Sequence, residues 1–113
     1  MDFNEYQKSL IKCDLCNGKV GEMPIGLIEK VLGLAGEAGE TVDKFKKIFR
    51  DKDGVISEED KQEIVKELGD VLWYVATIAR YLDVPLEEVV AKNIEKMESR
   101  LERGVLHGEG DNR

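Results

Sequence analysis

Cysteine, proline and histidine are scarce in this chain of 113 residues, which holds two Cys, two Pro and one His. Two cysteines make no disulfide framework. The two prolines, Pro24 and Pro85, leave long uninterrupted stretches, and each sits where a helix can begin. Positive charge is not in excess: 17 Lys and Arg stand against 24 Asp and Glu, a net charge of -7. A nucleic-acid surface needs a basic stripe, and so does docking on anionic lipid, so neither partner is expected. Long apolar runs are missing too. The densest, residues 71–76, falls far short of the roughly 18 residues of a membrane span. The opening Met1-Asp2-Phe3-Asn4-Glu5 has no basic stretch leading into an apolar one, so no secretory signal is expected. These absences lead to the expectation of a cytoplasmic protein of one domain.

What is present is charge and helical periodicity. Charged residues make up 36% and hydrophobic residues 42%, enough apolar material for a core. Residues 2–12 read as a short helix with Phe3, Tyr6, Leu10 and Ile11 on one side. Residues 13–23, with Cys13, Cys16, Asn17, Gly18 and Gly21, read as a loop. A long helix is predicted over 24–49. Its apolar stripe is Leu27, Ile28, Val31, Leu34, Ala35, Ala38, Val42, Phe45 and Phe49. Asp51-Lys52-Asp53-Gly54 signals a turn, and Ser57 with Asp60 resembles a capping box. A third helix runs to about Leu82, and a fourth from Pro85 to about Arg103. Residues 104–113 form a glycine-rich polar tail, expected to be flexible. No strand pattern competes, so the fold class is all-α, a four-helix-bundle-like arrangement.

The third helix carries an anomaly. Ile64, Leu68, Val71, Leu72, Val75, Ile78, Ala79 and Leu82 form an ordinary core stripe, yet Trp73 falls roughly opposite it. With Val65, Tyr74 and Ala76 added, the helix is apolar nearly all round, the pattern of a buried helix. Four helices cannot easily enclose one of their own. A homodimer or a dimer of dimers is therefore expected.

Two acidic pairs stand out, Glu37 with Glu40 and Glu67 with Asp70. Each pair is spaced i, i+3, so its members share a helix face one turn apart and repel each other. Lys44, one turn beyond Glu40, relieves part of this. Carboxylates near an apolar stripe are costly unless neutralised. A hard divalent cation does that, and donors that are all oxygen suit Mg²⁺ or Mn²⁺ rather than zinc. A plain solvated face is the alternative, since Asp60 with Glu63 and Glu95 with Glu98 repeat the spacing. Gly33, Gly36 and Gly39 recur inside the long helix and Gly69 lies between Glu67 and Asp70. Glycine there marks close approach by a neighbouring helix or a ligand. No dinucleotide fingerprint and no P-loop is formed.

The blocks Gly33-Leu34-Ala35-Gly36-Glu37-Ala38-Gly39-Glu40 and Lys66-Glu67-Leu68-Gly69-Asp70-Val71-Leu72-Trp73-Tyr74 resemble the MazG-like nucleotide pyrophosphohydrolases. These belong to the all-α nucleoside triphosphate pyrophosphohydrolase superfamily. Residues 3–7, 92–100 and 107–113 add to the likeness. The resemblance implies Mg²⁺-dependent hydrolysis of a nucleoside triphosphate to monophosphate and pyrophosphate, clearing non-canonical or excess nucleotides. It implies Glu37, Glu40, Glu67 and Asp70 as metal ligands, with Glu37 or Glu40 accepting the proton of the attacking water. An acidic protein would thereby bind an anionic substrate through metal.

Basic and polar side chains are expected to complete the site. Lys47, Lys96 and Arg100 are candidates for phosphate, Asn93 for the sugar or the metal's water shell, and Tyr74 for the base. Cys13-Asp14-Leu15-Cys16 lies outside the family pattern. It is read as two ordinary thiols, since a closed zinc site would need two chains to pool their pairs. His107 is not read as a ligand. A relative that cleaves phosphoribosyl-ATP and a non-catalytic helical interaction module are the competing readings.

Overall fold

The computed structural model describes residues 1–113. The order is α1 (Phe3–Ser9), a 3₁₀ turn (Ile11–Cys13), β1 (Lys19–Val20), β2 (Met23–Pro24), α2 (Ile25–Asp51), α3 (Glu58–Tyr81) and α4 (Leu86–Glu102). No helix is long and apolar enough to cross a membrane. The all-α expectation holds, with one small exception. The stretch read as a loop contains a two-stranded antiparallel hairpin, with Lys19 opposite Pro24 and Val20 opposite Met23. Gly21 makes the turn at φ +61°, and Gly18, at φ +94°, accepts the Ile25 N–H at 2.9 Å. Two rungs are too short to leave an alternating pattern in the sequence.

The helix starts are chemical. Asp2 and Glu5 form a reciprocal capping box on α1, and Ser57 and Asp60 form the expected one on α3. Pro24 and Pro85 occupy the N-cap positions of α2 and α4. The predicted first helix ends early, because after Ser9 the chain tightens into the 3₁₀ turn.

The α2–α3 pair makes the most extensive interhelical contact, and α1 leans on both α3 and α4. Gln7 on α1 is buried and ties the top of the fold together. Its Nε2 donates to the carbonyls of Ala76 (3.1 Å) and Val84 (2.9 Å), and its Oε1 accepts the Leu86 N–H at 3.1 Å.

The α2 stripe predicted to be core is largely not. Val31, Val42, Phe45 and Phe49 are exposed, and the buried positions of α2 are Gly26, Lys30 and Ile48. The reason is the seam itself. Gly26 faces the Tyr81 hydroxyl and Gly33 faces the Tyr74 ring, so α2 offers α3 its small and polar line. Of the apolar stripe, Leu27, Ile28 and Leu34 are half-buried and the rest is exposed. On α3, Val65, Leu68 and Leu72, and Leu82 just past its end, are likewise exposed.

A buried charge cluster pins the Cys13–Cys16 loop to this seam. Lys30 Nζ, on a side chain 2% exposed, donates to Asp14 at 2.9 Å and Glu29 at 2.8 Å. Asp14 also accepts from Arg80 at 2.7 Å, from the Cys16 N–H at 3.1 Å and from the Tyr81 hydroxyl. Burial alone would raise the Asp14 carboxyl, but the bonds from Tyr81, Lys30 and Cys16 outweigh it and hold it at about 2. Lys30, which burial alone would lower, is pushed up to about 12 by Glu29 and Asp14. Cys13 and Cys16 are free thiols, and Glu29 together with burial pushes the Cys16 thiol up.

Replacing Asp14 by Ala leaves the buried Lys30 ammonium with Glu29 alone, removes the partner of Arg80 and Tyr81, and should cost about 3 kcal/mol in urea unfolding at neutral pH. The Asp14 carboxyl is lowered from 3.8 to about 2 on folding. Its contribution is therefore complete above 3.8 and disappears as the pH falls to about 2. The gap between wild type and variant should close over that window.

Candidate active site

Glu37 on α2 and Glu67 and Asp70 on α3 come together. Each offers a carboxylate oxygen, and these oxygens lie within 4.8 Å of one another. The meeting follows from the antiparallel seam. Gly26 and Gly33 are two turns apart on α2, as their partners Tyr81 and Tyr74 are on α3. Glu37, one turn past Gly33, therefore lies opposite Asp70, one turn before Tyr74.

The cluster is short of positive charge. Burial raises the Glu37 carboxyl first, and the charges of Asp70, Glu67 and Glu40 raise it further. Lys44 is the local counter-charge, with Nζ 3.8 Å from both Glu63 and Glu67. It reaches across to α3 rather than only along its own helix toward Glu40. Glu40 itself stays outside the three-carboxylate group and is exposed, though its charge bears on Glu37. A donor set of oxygens alone, whose crowding raises a proton affinity, fits a hard divalent cation.

A cleft of about 280 Å³ adjoins these acids, lined by Glu37, Asp70, Trp73 and Tyr74. The two rings meet edge to face with centroids 4.7 Å apart, and Lys30 Nζ lies 5.5 Å from the Trp73 ring centre. Trp73 thus turns toward α2 and the cleft. The absence of a side chain at Gly33 is what admits Tyr74, since a Cβ there would sit 2.3 Å from the ring. Gly36, Gly39 and Gly69 face open space. The close-approach reading therefore applies to Gly33, and to Gly26, which the three-residue repeat did not include.

The remaining candidates are spread out. Lys47 pairs with Asp43 at 2.8 Å and, with Lys44 and Lys52, lines an adjoining groove of about 210 Å³. Asn93 is exposed on α4. Lys96 and Arg100 lie on α4 and are engaged by Asp111 of the tail. His107 is exposed in that tail. Tyr6 was given no role by its sequence position. Burial and then the charge of Asp70 raise its hydroxyl.

Residues 28–105 match the family model of the MazG nucleotide pyrophosphohydrolase domain. The chain belongs to that family. Over 88 residues it is 54% identical to "Gene 37 protein" of Mycobacterium phage L5, which covers 78% of this chain and 77% of the phage protein. No solved structure matches. The MazG stretch takes in nearly all of α2 and the whole of α3 and α4. All four acidic residues, Lys96 and Arg100 lie inside it, and α1, the cysteine loop and the hairpin precede it. Membership implies a nucleotide pyrophosphohydrolase.

Gly33→Ala should lower the melting temperature, since the new methyl overpacks Tyr74 at a cost of about 1–3 kcal/mol. Adding Tyr74→Leu should recover most of that loss. A double-mutant cycle by thermal denaturation checks the coupling.

Proposed function

We propose that this protein is a Mg²⁺-dependent nucleoside triphosphate pyrophosphohydrolase, yielding a nucleoside monophosphate and pyrophosphate. The observation that carries the reading is the convergence of Glu37, Glu67 and Asp70 beside an aromatic-walled cleft, in a chain of the MazG family. Glu37, Glu67 and Asp70 would hold Mg²⁺, which Mn²⁺ can replace, with Glu40 one turn away as a further ligand. When bound, the metal supplies charge neutralisation for the polyphosphate and acidity to a coordinated water. Glu37 or Glu40 accepts the proton of the attacking water. The water oxygen bonds to the α-phosphorus, the bond from that phosphorus to the bridging oxygen breaks, and pyrophosphate leaves. Tyr74 flanks the base or sugar. Lys47, Lys96 and Arg100 meet phosphate oxygens, and Asn93 meets the sugar or the metal's water shell. The role that fits this chemistry is removal of non-canonical or excess nucleotides.

The working unit in this reading is a homodimer or a dimer of dimers. The chain exposes 8310 Å², where a compact monomer of its mass would expose about 6300 Å². Its radius of gyration is 17.1 Å, against about 13 Å for a compact chain of this length. One cleft of about 360 Å³, between α2 and α3, is lined only by apolar side chains, Leu27, Val31, Leu32 and Ile78 among them. A second copy burying these stripes accounts for all three observations.

Pyrophosphate release from a panel of standard and modified nucleoside triphosphates, with Mg²⁺ and with EDTA, tests the activity. Metal-dependent release is expected, and Glu37→Gln should reduce it by roughly a hundredfold or more while circular dichroism stays unchanged. Release that survives EDTA, or a fully active Glu37→Gln, would reject the metal-site assignment. A panel that stays silent with Mg²⁺ moves the substrate to phosphoribosyl-ATP or the protein to a non-catalytic helical module.

Light scattering should give a multiple of 12.8 kDa for the wild type and a lower mass for Leu32→Glu. A wild type of one chain's mass would refute the oligomer.

A further inference from the structure

Beyond Glu102 the chain turns back on itself instead of leaving α4. The guanidinium of Arg113 donates to the carbonyls of Val105 (3.1 Å), Leu106 (2.9 Å) and Gly110 (2.6 Å). Arg103 donates to the Arg113 carbonyl at 2.9 Å. Gly108 and Gly110 adopt φ of +154° and +83°, which residues with a Cβ rarely take. The loop is thus held by the Arg113 guanidinium on its carbonyls and by Arg103 on the Arg113 carbonyl, bonds that do not involve its acidic side chain.

That acidic side chain is Asp111. One of its carboxylate oxygens receives both Lys96 Nζ (3.0 Å) and Arg100 Nη2 (3.1 Å). Arg100 Nη2 also donates to the Asp111 carbonyl. A single anionic oxygen shared by an ammonium and a guanidinium is the arrangement a phosphate oxygen would adopt there. The Arg100 side chain is only 7% exposed, and its Nε is buried without an acceptor. Asp111 is 78% exposed. The cation site is therefore built and incompletely satisfied, whereas its present anion is in contact with water and cheap to exchange.

We propose that Asp111 is a tethered stand-in for phosphate: its carboxylate holds Lys96 and Arg100 in the substrate-free protein, and an incoming polyphosphate displaces it. This rests on the reading that Lys96 and Arg100 meet phosphate. The tail aspartate sets the apparent affinity for the substrate's phosphate chain, because every binding event must first release a carboxylate. It keeps the two cations aligned and neutralised until a stronger anion arrives.

The test uses the full chain and inorganic tripolyphosphate with Mg²⁺, titrated by calorimetry, alongside steady-state turnover of the best triphosphate from the panel. Asp111→Asn should bind tripolyphosphate roughly three- to fivefold more tightly than wild type, the scale of one solvent-exposed ion pair. KM should fall by a similar factor while kcat holds. Arg113→Ala, which loosens the loop without touching the cations, should shift both in the same direction. Weaker binding in Asp111→Asn would overturn the proposal, since the aspartate would then position the cations rather than compete for them. So would unchanged binding in Asp111→Asn when Lys96→Met weakens it. If Lys96→Met and Arg100→Lys both leave tripolyphosphate affinity and KM untouched, the phosphate role of α4 is itself wrong, and the proposal falls with it.

Discussion

The distance between α2 and α3 governs the molecule. Two tyrosines of α3 enter notches left by Gly26 and Gly33, where a Cβ would collide with them, so any side chain at either position would displace α3. A glycine in a helix interior costs about 1 kcal/mol relative to alanine, and here that cost secures register. Register is what chemistry needs. Carboxylates from two helices converge only if the helices are locked in both separation and phase. Farther along the same seam, Lys44 reaches Glu63 and Glu67.

Charge is handled in opposite ways at two points of that seam. Near Gly26, Asp14, Lys30 and Arg80 satisfy one another, with Tyr81 closing the network. Each buried charge has an opposite partner, as a permanently dry cluster requires. Near Glu37 the balance is left open: of the three carboxylates only Glu67 has a lysine beside it, Lys44 at 3.8 Å, which Glu63 also draws on. The first arrangement is a structural clamp. The second is poised to take up a cation, with burial first and then the charges of Asp70, Glu67 and Glu40 raising the Glu37 carboxyl. The clamp also seats the loop of Cys13 and Cys16.

Much of this was legible in the sequence. The four helices, the Ser57–Asp60 box, the prolines at helix starts and the two acidic pairs follow from local rules that act within a few residues. The acidic trio was partly legible. Spacing put Glu37 and Glu40 on one face, but which of them meets α3 depends on how α2 is rotated about its axis, a tertiary property. The same rotation misled the core assignment. Periodicity finds an apolar stripe without saying whether the chain's own helices or another surface will cover it. Val42 and Phe49 belong to such an outward stripe. Gly26 escaped notice because its partner, Tyr81, is distant in sequence. The Asp111 contact escaped for a related reason: its two cations lie on another element, and no motif announces a salt bridge made by a tail.

The glycine notches bear on how such chains can vary in length. A single residue inserted between Gly33 and Glu37 would rotate everything beyond it by about 100°. Gly33 would still receive Tyr74, while Glu37 would swing away from Asp70. Compensation would require a matching insertion in α3, between Asp70 and Tyr74. The stretch from Gly26 to Lys44 is therefore locked in length, and sequence drift there is confined to substitution. Between Lys52, which caps α2, and Ser57, which caps α3, residues 53–56 are exposed throughout and bear none of these constraints. Insertions and deletions are free to accumulate there while the carboxylates keep their positions.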